Sequence, residues 1–171
     1  MVMVIAMAQY DFSQVYAAHK EMVWKLVSRY VFSQQDREDL FQEVFLKIHQ
    51  GLNRFEGRSG IQTWIFRITA NTALNFLKKQ KRYGGLKDIL SRFRFIEEKD
   101  EDKDHDEGKE LSKLLGKLNP QQRMILIMAD VEERKLEEIA QTLDLPVGTV
   151  KSNLHRAREI VKKEMNKNEG I

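Results

Sequence analysis

Apolar side chains recur three and four residues apart through the first third of the chain. Phe12, Val15, Tyr16, Met22, Val23, Leu26, Val27 and Tyr30 share one helical face, and Asp11 is placed to cap its start. After a polar break from Ser33 to Arg37, the spacing resumes with Leu40, Phe41, Val44, Phe45, Ile48 and Leu52. Gly51, Gly57 and Gly60 then make Asn53 to Ile61 a turn or irregular loop. A third helix is predicted from about Gln62 to Gln80, with Trp64, Ile65, Ile68, Thr72 and Leu74 turned inward. Lys78, Lys79, Lys81 and Arg82 gather at its far end, where cations suit the partial negative charge of a helix C-terminus.

The pattern changes after Gly84 and Gly85. A short helix is expected from Leu86 to Ile96, and eight of the eleven residues from Glu97 to Glu107 are acidic. That run offers no strong core residue, so burial cannot offset the entropy of ordering it, and a solvated linker is expected. Beyond it, Asn119-Pro120-Gln121-Gln122 carries the signals of a helix start: an Asn cap, Pro in the first turn and Gln at the third position. Ile125, Leu126, Met128 and Ala129 bury that helix. A shorter one carries Leu136, Ile139, Ala140 and Leu143; after Asp144-Leu145-Pro146 a last one presents Val150, Leu154, Ala157 and Val161. Two short helices across a tight turn, with small Ala140 where they cross, predict a helix-turn-helix. The fold expected is all-α, with two small helical domains over residues 1–85 and 111–171 joined by an acidic linker over 86–110.

Charge sharpens this division. Residues 1–85 hold 12 basic and 7 acidic groups, residues 86–110 hold 6 and 10, and residues 111–171 hold 11 and 9, within a net charge of +3. Two basic segments flank an acidic connector, a pattern that suits an anionic partner and ordinary solvated surface alike, so the motifs have to decide. With no Cys among 171 residues, disulfides, thiolate nucleophiles and sulfur-ligated metals are excluded. The apolar opening Met1 to Ala8 is too short to span a membrane and lacks the flanks of a secretory signal, so a cytoplasmic location without membrane insertion is expected. Met3 or Met7 could equally serve as initiators.

On the last helix Gly148, Ser152, His155, Arg156 and Glu159 face away from the inward set, with Lys151 and Lys162 on the border. Short residues at the start of an exposed helix, with cations further along, suit a major groove: early positions meet base edges and longer side chains reach guanine or phosphate. In the first segment Arg54, Arg58, Arg67, Lys78, Lys79, Lys81 and Arg82 surround Phe55, Trp64, Phe66 and Phe76. Rings as stacking platforms and cations along a backbone suit unpaired bases, and the amides of Asn71 and Asn75 can read base edges. No enzyme is expected and no cofactor: His19, His49, His105 and His155 lack metal-ligand spacing, and neither a phosphate-binding glycine loop nor a nucleophile elbow is present.

Two stretches together resemble a known family. The first is Asp39-Leu40-Phe41-Gln42-Glu43-Val44-Phe45, then Phe55-Glu56-Gly57 and Thr63-Trp64-Ile65-Phe66-Arg67-Ile68-Thr69-Ala70-Asn71. The second is Glu137-Glu138-Ile139-Ala140, then Leu145 through Arg158, LPVGTVKSNLHRAR. In this order across this linker they resemble bacterial extracytoplasmic-function sigma factors of the sigma-70 family, over about 130 of the 171 residues. The resemblance implies a subunit that binds core RNA polymerase, directs it to promoters and helps open them. It implies polymerase docking at Asp39, Gln42, Glu43 and Phe45. It implies contact with the unpaired minus-ten element by the loop from Phe55 to Ile61 and by Asn71, so that Arg54, Phe55, Arg58, Ser59, Asn71, Lys78 and Lys79 form the expected set. The set expected at the double-stranded minus-thirty-five element is Thr149, Lys151, Ser152, His155, Arg156 and Lys162. An anti-sigma factor is a further partner the resemblance allows, and the acidic run is expected to be drawn towards the positively charged polymerase cleft.

Three departures stand out. Glu133-Arg134-Lys135 replaces the usual capping Ser or Thr, so the helix start is expected to shift or to lean on Asp130. Asp144 stands for a common turn Gly, and Gly60-Ile61 for a small residue and Phe. The alternatives are a helix-turn-helix regulator that is not a polymerase subunit and a helical interaction module without a nucleic-acid role.

Overall fold

The computed structural model describes residues 10–83 and 105–168, and every regular element among them is helical. The expected helix from Leu86 to Ile96 and the connector as far as Asp104 lie outside the described residues.

Helix α1, Phe12–Tyr30, starts where the Asp11 carboxylate accepts the Gln14 amide at 3.1 Å. Helix α2, Gln34–Leu52, starts earlier than the hydrophobic spacing predicts. Ser33 Oγ accepts the Asp36 amide at 3.0 Å, so the polar stretch expected as a break is the capped first turn itself. Arg37 Nε donates to the Val31 carbonyl at 3.0 Å and ties the two helices at this corner, and its burial lowers the guanidinium pKa. Helix α3, Ile61–Tyr83, runs three residues beyond its expected end. Val23, Val27, Tyr30, Leu40, Val44, Ile48 and Ile65 form the fully buried centre of this three-helix region. Tyr16, counted with the inward face, instead stays partly exposed against the rings of Phe41 and Phe45.

Helix α4, His105–Gly116, begins inside the stretch expected to be connector. Helix α5, Pro120–Leu126, has the reciprocal cap anticipated from sequence: Asn119 Oδ1 accepts the Gln122 amide at 2.8 Å, and Gln122 Oε1 accepts the Asn119 amide at 3.2 Å. Its last turn widens into a π-helical turn, Ile127–Val131, closed by the Glu132 amide on the Ile127 carbonyl at 3.0 Å. Helix α6, Leu136–Leu143, and helix α7, Val147–Asn168, complete the helix-turn-helix. Asp144 between them has φ 53° and ψ 53°, the left-handed conformation that Asp tolerates better than most residues. The start of α6 does not lean on Asp130, whose carboxylate pairs with Arg158. The Glu138 carboxylate faces the Lys135 amide instead, at 3.4 Å, supplying half of the missing cap.

Helix α3 packs on α1 and α2 on one side and on α5 and α6 on the other, so the two regions meet along it. Its inner face carries two buried threonines whose hydroxyls return to their own helix, Thr69 to the Ile65 carbonyl at 2.8 Å and Thr72 to the Ile68 carbonyl at 2.6 Å. Both hydroxyls thus donate within their own helix, and Thr72 Oγ1 also accepts from Lys47 Nζ of α2 at 3.4 Å.

Gly51 sets how closely α2 and α3 approach. A Cβ there would stand 2.9 Å from Trp64 Cζ2, inside the contact limit. Gly51→Ala is expected to lower stability by about 1 kcal/mol, because an overpacking cost of about 1–3 kcal/mol exceeds the helix-propensity gain of up to ~1 kcal/mol. Urea unfolding followed by circular dichroism measures this, and a variant more stable than the parent would show that Trp64 moves aside freely.

Candidate nucleic-acid interface

The turn at Asp144 and the buried residues of α7 decide which of its side chains face outward. Val150, Leu154 and Ala157 are buried against α5 and α6, so Lys151, Ser152, His155, Arg156, Glu159 and Lys162 all stand exposed on the opposite side. Thr149 is half-buried, and its carbonyl accepts from Ser152 Oγ at 3.1 Å and from Asn153 Nδ2 at 2.9 Å, which stiffens the first turn. Arg158, exposed on the same edge of α7 as Lys151 and Lys162, is held by a partner. Its guanidinium grips Asp130 through Nε–Oδ2 at 3.1 Å and a second bond at 2.5 Å, and the carboxylate raises its pKa. The pair braces α7 against the π-helical turn.

In the first region the loop from Asn53 to Gly60 leaves α2 through the Arg54 and Phe55 amides, which donate to Gly51 and Leu52 carbonyls at 3.0 and 3.2 Å. Gly57, at φ 68°, turns it back in a conformation that disfavours side chains. Phe55 is half-buried between two rings, with Trp64 at 5.0 Å and Tyr10 at 5.5 Å between centroids. Arg54 and Arg58 are exposed, Arg58 pairing with Glu56 at 2.6 Å, and Ser59 is half-buried. Lys78 and Lys79 are exposed about five turns along α3 from the loop.

Between loop and lysines, α2 and α3 enclose an open pocket of about 330 Å³ lined by Lys47, Trp64, Arg67, Asn71, Thr72 and Asn75 among others. Two cations, two amides and a ring edge in one concavity suit an anionic, aromatic ligand such as a nucleotide. Lys47 and Tyr10 escape sequence reasoning because neither sits in the motif; Lys47 reaches the pocket across from α2, where its Nζ donates to Thr72 Oγ1 at 3.4 Å. Asn71 is half-buried rather than solvated. Its Nδ2 donates to the Arg67 carbonyl at 2.9 Å and across to the Thr142 carbonyl of α6 at 2.7 Å.

The polymerase set divides. Asp39 and Gln42 are exposed, and Glu43 is half-exposed and paired with Lys47 at 3.1 Å. Phe45 is only 6% exposed, packed edge-on to Phe12 and Tyr16 and against Phe41. In this structure the ring belongs to the core of the first region. The apolar side chain on the exposed face is its neighbour Leu46, 61% exposed and one helical repeat after Asp39. Among the described residues no cluster of three or more His, Asp or Glu suits a metal ion, and no helix is long and apolar enough to cross a membrane.

Known proteins share this pattern. Residues 15–83 match the family model for sigma-70 region 2, and residues 108–161 the model for sigma-70 region 4. The chain is 32% identical over 167 residues to the ECF RNA polymerase sigma-E factor of Haemophilus influenzae, covering 90% of this chain and 87% of that protein. It is 33% identical over 164 residues to the sigma-E factor of Escherichia coli K12, covering 90% and 85%. Two solved structures share the fold at 20% identity: CnrH in complex with the cytosolic domain of CnrY, with TM-score 0.61 over 91% of this chain and 88% of that one, and RpoE of Bartonella quintana in complex with the anti-sigma factor NepR, with TM-score 0.62 over 91% and 97%. The two helical regions, the helix-turn-helix and these relatives place the chain in the sigma-70 family, among the ECF RNA polymerase sigma factors.

Proposed function

We propose that this sigma factor brings core RNA polymerase to promoters, reads the minus-thirty-five element as duplex through α7, and holds the minus-ten element as an unpaired strand along the loop and α3. The observation that carries the reading is the outward face of α7, where Lys151, Ser152, His155, Arg156 and Lys162 are all exposed behind a tight turn. Residues 1–85 serve as the polymerase-binding and strand-opening domain, 86–110 as an acidic linker and 111–171 as the duplex-binding domain. Strand opening needs no chemistry from this chain, because sigma factors are not enzymes. Bases held on Phe55 and in the neighbouring pocket are withdrawn from the duplex, and that bias favours melting. Asp39, Gln42, Glu43 and Leu46 form the polymerase-docking edge. The linker is a polyanion attracted to positively charged surface of the polymerase. Anti-sigma factors occur in complexes with related folds, which supports one as a partner here, and the cytoplasm as the working compartment follows from the polymerase.

Contact types on α7 can be separated by titrating the full chain against matched duplexes at several salt concentrations. Arg156→Ala is expected to cost about 1–3 kcal/mol on the preferred sequence and much less where its base pair is already altered. Lys162→Ala weakens all sequences alike and lowers the salt slope by about one counterion. Equal losses on every duplex would make Arg156 a phosphate anchor.

Reversing Asp39 and Glu43 together to Lys is expected to weaken core-polymerase binding by about tenfold, or ~1.4 kcal/mol, with duplex binding by α7 unchanged. The Glu43–Lys47 pair lost in this variant is a surface pair worth at most ~1 kcal/mol, so folding survives. Fluorescence anisotropy with labelled chain measures both, and parallel loss of both would signal damage to the fold.

Phe55→Ala is expected to slow promoter opening at matched occupancy, because its partner base is available only after the strands part. Permanganate reactivity of unpaired thymines reports the opening rate; an unchanged rate removes Phe55 from the site.

A further inference from the structure

The pocket between α2 and α3 holds a cation that belongs neither to the recognisable motifs nor to the docking edge. Lys47 follows Glu43 by four residues on α2, and the two pair at 3.1 Å with side chains 41% and 40% exposed. The ammonium also donates to Thr72 Oγ1 of α3 at 3.4 Å. That oxygen can accept because the Thr72 hydroxyl gives its own hydrogen to the Ile68 carbonyl at 2.6 Å. Lys47 is therefore held across the gap between the helices, in the pocket that Trp64, Arg67, Asn71 and Asn75 also line. Trp64 closes on Gly51 with no room for a Cβ, so packing sets the spacing of α2 and α3 and with it the place of the ammonium. An ammonium has three donor hydrogens, and these two contacts use only two of them.

We infer that Lys47 binds one phosphodiester of the unpaired minus-ten strand, the one beside the nucleotide whose base enters the pocket, and that Glu43 is its counter-ion while the pocket is empty. This rests on the reading of the pocket as a strand site. Charge sets the number of phosphates. Lys47 and Arg67 bring two positive charges and Glu43 one negative, so a single phosphodiester balances the site and a second does not. The chemistry of the donors sets the division of labour. A lysine donates but cannot accept, which suits a phosphate oxygen, whereas the exposed amide of Asn75 offers both a donor and an acceptor to a base edge.

Exchange of partners is cheap here. A half-exposed ion pair contributes little, so replacing the Glu43 carboxylate by a phosphate oxygen meets a small barrier, and Thr72 keeps the ammonium in place meanwhile. Helix α2 is thereby divided by face. Asp39, Gln42 and Leu46 stand exposed on the docking edge, while Lys47 reaches across to α3.

The test uses holoenzyme assembled from the full chain and core polymerase, with fork-junction DNA whose minus-ten strand is unpaired. In a series of forks, one phosphodiester at a time in that strand is replaced by an uncharged methylphosphonate. With the parent chain, the neutral linkage at the contacted position is expected to weaken binding about threefold. Lys47→Gln should weaken the all-phosphate fork by a similar factor and lower the salt slope by about 0.7, the value for one phosphate of a single strand. It should also become indifferent to that one neutral linkage while keeping the cost of every other. Lys47→Arg, which retains the charge, restores both the affinity and the sensitivity. Assembly with core polymerase, measured on the same samples, is expected to be unchanged. A Lys47→Gln loss that appears in assembly instead of fork binding would put Lys47 on the docking edge and overturn the inference. Identical linkage costs in the parent and in Lys47→Gln, with Arg67→Gln still weakening the fork, would overturn it too and leave the strand reading of the pocket standing. If neither Lys47→Gln nor Arg67→Gln weakens the fork, the inference falls together with that reading.

Discussion

Helix α3 has to satisfy neighbours on two sides, and the rest of the architecture follows from how it does so. Ile65, Phe66, Ala70, Ala73, Leu74 and Leu77 are buried, which leaves only narrow strips for polar work. Alanines at 70 and 73 let neighbouring backbones come close, and the inward hydroxyls of Thr69 and Thr72 are satisfied within the helix. Nearly all remaining surface is then committed. The strip from Trp64 through Arg67 and Asn71 to Asn75 opens on the pocket beside α2, while Phe66 carries Arg134. The pocket beside α2 and the inter-region seam share one helix, so neither can change without reaching the other. Position 71 sits on the boundary between them.

The chemistry of the seam differs from that of the cores on either side. Within the first region, apolar burial holds α1, α2 and α3 together and gains free energy with every methyl removed from water. Across the seam a tyrosine hydroxyl, a carboxylate, three arginines and an amide are added to the apolar packing of α3 on α5 and α6. Such groups exchange water for protein partners at small net gain, and their pairing is directional. Laid on that apolar packing, the directional pairs fix how the two regions are oriented.

The separate helices were legible from the spacing of apolar residues because each buries one stripe. The Asn119 cap and the left-handed Asp144 were legible too, since those signals are local. What spacing does not show is a partner remote in sequence. Phe45 lies on the apolar stripe of α2 and is buried as that stripe predicts, with Leu46 beside it exposed, but its enclosure by Phe12 and Tyr16 of another helix has no local signal. Asn71 was legible as a polar residue on α3, but its bond to the Thr142 carbonyl, 71 residues away, leaves no local trace.

The π-helical turn shows why the seam in particular escapes sequence reasoning. Ile127–Val131 reads as a continuation of α5, because Ile125, Leu126, Met128 and Ala129 keep an apolar stripe. The widened turn is followed by Glu133 at φ 53°, a conformation uncommon for a residue with a side chain, and by the Arg134 amide on the Met128 carbonyl at 2.9 Å. Those irregularities send Glu132 and Arg134 towards Tyr30 and Phe66 while Asp130 faces Arg158 on α7. An ordinary helix continued through the same residues would distribute these charges around its circumference. Backbone irregularity thus concentrates Glu132 and Arg134 on the first region and reserves Asp130 for bracing α7, so one short turn couples the seam to the second helix of the helix-turn-helix.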